Sequence, residues 1–338
     1  MVADSRRRHA LALDIGGTKI GLGIGDDLGV VHAAHQFPTD PTLAPEPLLG
    51  RALDWLHAAC NDHGLIPEAV GVAAPGPLDR ASGRLLEVPN MLRWQGFALR
   101  DYLAQATALP TAVQNDANAA VLAEVLWGAA RGADTAVFLT MSTGMGAGLW
   151  IEGRLIEGPC GLAGEIGHIR LTDEGPVGFG KRGSVEGYLS GPGLVQLAAA
   201  EALAFHQRSA ATTLPDPPAL TPEAVFAAAR AGDAAARAVV GTFTRMLGRL
   251  CAILVDLLNP DVIVFGTIGT AHFDLLAPGV GELLRVEALP ESAARVALRP
   301  SGLAQRGIQS ALAVALAALD RGARATGTAK HTDRRRPR

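Results

Sequence analysis

The sequence predicts an α/β protein of two domains with a duplicated core of the ββα type. Three observations carry this. The chain has 338 residues, more than one hydrophobic core usually serves. Apolar runs of strand length alternate with amphipathic segments of helical spacing. One rhythm also occurs twice. LALDIGGTKIGLGIGDDLGVV (11–31) and TAVFLTMSTGMGAGLWIEGRLIEG (135–158) both read strand, glycine turn, strand, turn, apolar segment. They share little identity, but the matched order points to one copy per domain.

Composition narrows the function. Hydrophobic residues make up 49% and aromatics 4%, so Ala, Leu, Val and Gly must fill the cores. A formal net charge of −3 gives no sign of a nucleic-acid partner or an anionic membrane partner. SRRRH (5–9) and RRRPR (334–338) read as solvated, disordered tails. Cys60, Cys160 and Cys251 are far apart and form no C-x-x-C pair. They indicate neither a disulfide framework nor a Cys-rich metal site, and read as reduced thiols of a cytoplasmic protein. No apolar h-region precedes Leu11, and no apolar run reaches the ~18 residues of a membrane span.

The elements follow in order. HALALDIGG is a buried strand ending in a tight turn, and KIGLGIGDD and VVHAAHQF complete a meander. LLGRALDWLHAAC (48–60) has helical spacing, and AVGVAAPG (69–76) is a buried strand closed by Pro75–Gly76. A helix at 98–106 and a strand at 110–114 come next. ANAAVLAEVLWGAARG (117–132) is amphipathic and Ala-rich, with Gly132 as its stop. After the second copy of the rhythm, a glycine-rich region spans 158–193. Helices are expected over 194–206 and 222–258, a strand over 260–269 and a helix over 307–320.

GPVGFGKR (175–182) has Walker A spacing until its last position, where Arg182 replaces Ser or Thr. The context is wrong for a phosphate loop. No buried strand precedes it, Arg182 has no hydroxyl for Mg²⁺, and GSVEGYLSGPG after it is poor helix material. Two other glycine turns fit phosphate better. In DIGGTK (14–19), Gly16 and Gly17 allow backbone N–H groups close to oxyanions, Thr18 and Lys19 add polar groups, and Asp14 could orient a hydrated Mg²⁺. Thr143, Gly144 and Gly146 of STGMGAG (142–148) occupy the equivalent place in the second copy. Neither turn has G-x-G-x-x-G spacing, which disfavours a Rossmann site.

LALDIGGTKIGLGI, PGP (75–77), PNMLRW (89–94), QNDANAA (114–120), STGMGAG, GEIGH (164–168) and NPDVIVFG (259–266) occur in that order. Together they resemble the ROK family of repressors, open reading frames and sugar kinases. The resemblance implies the two-domain actin-like ATPase (ribonuclease H-like) fold, with ATP and sugar in a cleft, Mg²⁺, and phosphoryl transfer to a hexose. It implies a small domain over 10–117, completed by the C-terminal helix near 307–321, a large domain over 118–306, and disordered ends at 1–9 and 322–338. Asp116 matches the general base. Asn90, Asn115, Glu165, His168 and Glu186 match sugar contacts, and Gly266 matches a position near adenine. A lone Asp before a helix would read as a cap, but within NDANAA it reads as the base.

Five positions depart from the pattern. Thr267 and Ser142 stand where glycine is usual. Val177, Phe179 and Ser184 stand where the family commonly has the cysteines of a zinc knuckle, so no zinc is expected, and Val177 and Phe179 are expected to fold inward as an apolar plug. The activity expected is an ATP-dependent hexose kinase, most simply for glucose. An N-acetylhexosamine kinase, a fructokinase and a non-catalytic sugar binder remain open. A repressor is disfavoured, because about ten residues before the first strand leave no room for a helix-turn-helix domain. A homodimer is left open.

Overall fold

The computed structural model describes residues 7–79, 81–86, 88 and 91–325. It divides into two compact units, Met1–Leu126 with Ala304–Arg338, and Trp127–Leu303.

Unit 1 contains β1 (His9–Ile15), β2 (Lys19–Asp26), β3 (Val31–Pro38), α1 (Pro45–His63), β4 (Pro67–Ala74), a small hairpin of β5 (Leu78–Asp79) and β6 (Arg84–Leu85), α2 (Leu99–Thr107), β7 (Thr111–Asn115) and α3 (Asp116–Leu126). Its main sheet has the order β3-β2-β1-β4-β7. The first three strands are antiparallel, and β4 and β7 run parallel to β1.

Unit 2 contains β8 (Ala136–Met141), β9 (Met145–Ile151), β10 (Arg154–Ile156), the hairpin β11 (Val177–Gly178) and β12 (Lys181–Arg182), α4 (Val185–Leu189), α5 (Gly191–Gln207), α6 (Pro222–Arg230), α7 (Ala234–Leu258), β13 (Val262–Phe265), α8 (Thr267–Ala271), α9 (Phe273–Glu287), α10 (Pro290–Arg295) and β14 (Ala297–Pro300). Its sheet order, β10-β9-β8-β13-β14, repeats that of unit 1 strand for strand. Again a three-stranded antiparallel meander is followed by two parallel strands. This is the duplication that the two glycine-turn segments predict. The chain then returns to unit 1 as α11 (Arg306–Ala325).

The glycines of β2 and β4 show how α11 seats. A Cβ at Gly71 would lie 1.9 Å from the Ala311 carbonyl oxygen, and one at Gly23 would lie 2.5 Å from Ile308 Cγ2. Without side chains at these positions, the helix packs directly on the sheet. Leu11, Leu13, Leu22, Leu49 and Leu56 are among the side chains filling the core of unit 1.

Several boundaries differ from expectation. The expected boundary at 117/118 moves to 126/127, because α3 packs on α11, β4 and β7 of unit 1. The helix expected over 117–132 ends at Leu126, and the turns after it include Gly132 at φ 80°. The helix expected over 222–258 is two, broken at Gly232 (φ 96°), where Asp233 caps α7 by accepting the Ala236 N–H. GSVEGYLSGPG does form helix: Ser184 caps α4 and Ser190 caps α5, whose first turn holds Pro192. Of the ends expected to be disordered, His9 begins β1 and α11 runs to Ala325; 1–6 and 326–338 lie outside the described residues. Against the expectation of no membrane-length run, α7 is long and apolar enough to cross a membrane. It packs against α5, α6 and α9, with Phe243, Leu247 and Val255 fully buried, as a core helix does.

Candidate active site

In unit 1, the sheet brings the candidate residues to one end. Asp14 pairs with Ala73 of β4, and the next β4 residue, Ala74, pairs with Asn115 of β7. Asp14 near the end of β1 and Asn115 at the end of β7, with Asp116 next in the chain, therefore flank β4. The turn after β1 is held by its own backbone, with Gly16 N–H donating to the Lys19 carbonyl at 2.9 Å. Thr39 braces it from β3's end: its hydroxyl donates to the Gly16 carbonyl at 2.7 Å, and its N–H to that of Thr18 at 3.0 Å. Thr18 and Lys19 are exposed and Gly17 is half-buried.

Asp14 is pushed above the ordinary aspartate range by loss of solvent, against the opposing pull of Lys19 and Arg306. A Cβ at Gly307 would lie 1.9 Å from Asp14 Oδ2, so the carboxylate abuts the first turn of α11. A desolvated carboxylate beside a glycine turn fits a cation-facing role, since a cation there would restore its charged form.

Asn115 and Asp116 meet at the start of α3, where Asp116 Oδ1 accepts the Ala117 N–H at 2.8 Å. The Asn115 side-chain oxygen accepts the Ala117 N–H at 3.0 Å and so caps α3. Asp116 is the first residue of α3 and is exposed. The helix dipole there favours its ionised form. Asn90 lies outside the described residues.

Sequence reasoning missed Arg306. Its guanidinium is pushed down by burial and held up by Glu124, Asp14 and Asp116, so one cation lies within electrostatic range of both candidate carboxylates. The signal was a charged residue placed just before the apolar stretch of α11. Nothing in linear order connects it with Asp14.

In unit 2, the β8–β9 turn carries Thr143 and Gly144, with Gly146 just inside β9. Thr143 is exposed, and Ser142 donates its N–H to the Gly144 carbonyl at 3.0 Å. Gly16, Gly144 and Gly146 do not have positive φ, so turn handedness is not why they are glycine. At Gly144 the reason is space, since a Cβ would lie 3.0 Å from Glu186 Oε2. Glu186 sits on α4, and the same oxygen accepts the Met145 N–H at 3.2 Å. Glu165 and His168 flank a one-turn 3₁₀ segment, and both are exposed. Gly167 lets that segment press on β9, because a Cβ there would meet the Met145 carbonyl at 2.4 Å. The structure thus groups Glu165, His168 and Glu186 around the start of β9.

Gly266 ends β13, where a Cβ would lie 2.5 Å from Phe138 Cζ. Thr267 follows at φ 40°. This left-handed conformation disfavours a β-branched side chain, which accounts for the glycine usual at that position.

The knuckle region corrects one expectation. Val177 is 43% and Phe179 61% exposed, so they form no internal plug. The two-residue turn of β11–β12 carries Phe179 outward. Ser184 is buried and already used, accepting the Gly187 N–H at 3.0 Å and donating to the Gly178 carbonyl at 3.3 Å. Val177, Phe179 and Ser184 do not fit a zinc site.

A model of the ROK family matches residues 10–317. The glucokinase of Halalkalibacterium halodurans is 32% identical over 291 residues, 85% of this chain and 88% of that protein. The N-acetylmannosamine kinase of Escherichia coli is 34% identical over 265 residues, 78% of this chain and 84% of that one. A ROK family glucokinase from Streptomyces griseus, solved in complex with glucose and AMPPNP, superposes with a TM-score of 0.73 at 30% identity, covering 91% of this chain and 99% of that chain. A match that runs from the first strand into the C-terminal helix, with relatives at this identity, makes the chain a member of the ROK family.

Proposed function

We propose that this ROK protein is an ATP-dependent sugar kinase that transfers the γ-phosphate of ATP to a hexose hydroxyl, most simply that of glucose. The observation that carries the reading is Asp116, an exposed carboxylate at the first position of α3 beside Asn115, which shares the capping. Asn115 accepts the N–H groups of both Ala117 and Asn118, and Asp116 shares that of Ala117 through Oδ1; a cap alone would not call for a second, charged acceptor there.

Asp116 takes the proton from the attacking hydroxyl, and the N-terminus of α3 keeps it ionised to do so. Asn115, whose oxygen is committed to the cap, offers its NH₂ group to a sugar oxygen. Glu165 and Glu186 accept from sugar hydroxyls, and His168 adds a third polar contact. Backbone N–H groups of Gly17, Thr18, Thr143 and Gly144 face phosphate oxygens, while those of Gly16 and Met145 are taken by the Lys19 carbonyl and Glu186. Asp14 would hold hydrated Mg²⁺, which supplies charge neutralisation on the phosphates when bound.

A second reading, an N-acetylmannosamine kinase, is favoured by the 34% identity to such an enzyme. A coupled ADP-release assay over glucose, fructose, N-acetylglucosamine and N-acetylmannosamine separates the two. The expected result is the highest kcat/KM for glucose. Preference for N-acetylmannosamine establishes the second reading, and absence of turnover on every sugar removes both.

A further inference from the structure

GPVGFGKR, the stretch with accidental Walker A spacing, forms the hairpin β11–β12. Val177 pairs with Arg182 and Gly178 with Lys181, so the turn consists of Phe179 and Gly180. Their φ values are 50° and 72°. Left-handed backbone at both positions is what a two-residue hairpin turn needs to match strand twist, and Asn, Asp or Gly normally fill the first position. A bulky aromatic there opposes local preference. Burial does not explain Phe179 either, since it is 61% exposed.

What its ring does touch is His168. The ring centroids are 4.7 Å apart and tilted by 66°, an edge-to-face pair. The same hairpin reaches the backbone of that residue, with Lys181 Nζ donating to the His168 carbonyl at 2.7 Å. The hairpin base is fixed to the helix that carries Glu186. Ser184 bonds both Gly178 and Gly187, and a Cβ at Gly178 would lie 2.3 Å from Gly187 N. His168 needs such support, because it ends a single 3₁₀ turn and its side chain is exposed.

We infer that the hairpin Val177–Arg182 is a clamp that sets the imidazole of His168 for the sugar, with Phe179 as the positioning residue and Lys181 as the backbone tether. The inference rests on the reading that His168 contacts the sugar. It assigns the unfavourable turn residue a purpose: the ring restricts the imidazole to one orientation before sugar arrives, which lowers the ordering needed on binding.

Phe179→Asn separates the turn from the ring, since Asn suits the left-handed position and lacks the aromatic edge. The expected result is an unchanged or raised Tm, a rise in sugar KM of about 2- to 10-fold, and an unchanged ATP KM. Phe179→Trp should restore the sugar KM. Lys181→Met should raise the sugar KM less and leave the ATP KM unchanged. In a His168→Gln background, itself raised in sugar KM, Phe179→Asn should add nothing. A normal sugar KM in Phe179→Asn, with His168→Gln impaired, overturns the clamp and leaves the sugar reading standing. Additive effects in the double variant, or Tm and activity falling together in Phe179→Asn, also overturn it. A normal sugar KM in His168→Gln overturns the reading of His168 itself.

Discussion

The Glu186 carboxylate accepts the Met145 backbone N–H at 3.2 Å, across 41 positions of sequence. The side chain proposed to face the sugar thus also pins the glycine turn proposed for phosphate. Glu186→Ala should raise KM for sugar and for ATP together, each by about 10-fold, the scale of a lost hydrogen bond to a charged group. Glu186→Gln keeps an acceptor for Met145 and should spare the ATP KM while the sugar KM rises. Steady-state kinetics with each substrate varied in turn is the check, and an unaffected ATP KM in Glu186→Ala would break the link.

Asp116→Asn should lower kcat by roughly 10²–10⁴-fold, the scale of a missing general base. Sugar binding, followed by calorimetry, should persist. Near-normal turnover would leave Asp116 no more than a helix-terminal charge.

Asp14 sets a conflict between stability and activity. Loss of solvent raises its folded-state pKa above the ordinary value, so the folded protein holds the proton more tightly than the unfolded chain. The resulting stabilisation is complete below the unfolded value and is lost as pH rises through the folded one. Asp14→Asn removes that dependence. Its Tm should exceed that of the parent protein by a margin that widens as pH rises above the ordinary aspartate value in Mg²⁺-free buffer. Turnover should fall at the same time. A margin constant with pH would remove desolvation of Asp14 as the cause.

Thr267 is a β-branched residue at φ 40°. Thr267→Gly should stabilise the protein by about 1 kcal/mol, as relief of left-handed strain outweighs the extra chain entropy. Urea denaturation measures this, and a destabilised variant would show that the threonine's contacts outweigh its backbone.

The purified protein should carry no stoichiometric zinc, and chelators should not lower its Tm. Val177 and Phe179 have no ligand atoms, and the Ser184 hydroxyl is engaged by Gly187 and Gly178. Elemental analysis finding about one zinc per chain would contradict this.

The strands and the glycine turns of both meanders were legible because alternation and turn residues are local signals. Thus β1, β2, β3, β8 and β9 lie where LALDIGG, KIGLGIGDD, VVHAAHQF and TAVFLTMSTGMGAGLW place them. By contrast, α9 was not legible. FDLLAPGVGELLRVE contains Pro278, Gly279 and Gly281 and reads as loop. Its glycine turns out to be an asset of packing, since a Cβ at Gly279 would lie 2.7 Å from Thr244 Cγ2 of α7. The approach of those two helices is a tertiary fact. Among the candidate site residues, Asn115 and Asp116 were recognisable in NDANAA, but their sharing of the Ala117 N–H was not. Which acceptors meet at a helix start depends on side-chain rotamers, which spacing does not encode. Arg306 and the outward Phe179 escaped for the same reason: each acquires meaning from a partner that only folding brings near.

The seat of α11 against Gly71 and Asp14 also bears on the order of events during synthesis. The helix that covers one face of the first sheet is made only after all of unit 2. Until then the nascent chain presents the glycine-lined face of β2 and β4 uncovered, a surface for chaperones to guard. Asp14 meanwhile lacks the first turn of α11 that abuts it. The first sheet is therefore closed only by a segment that follows the whole of unit 2 in the chain.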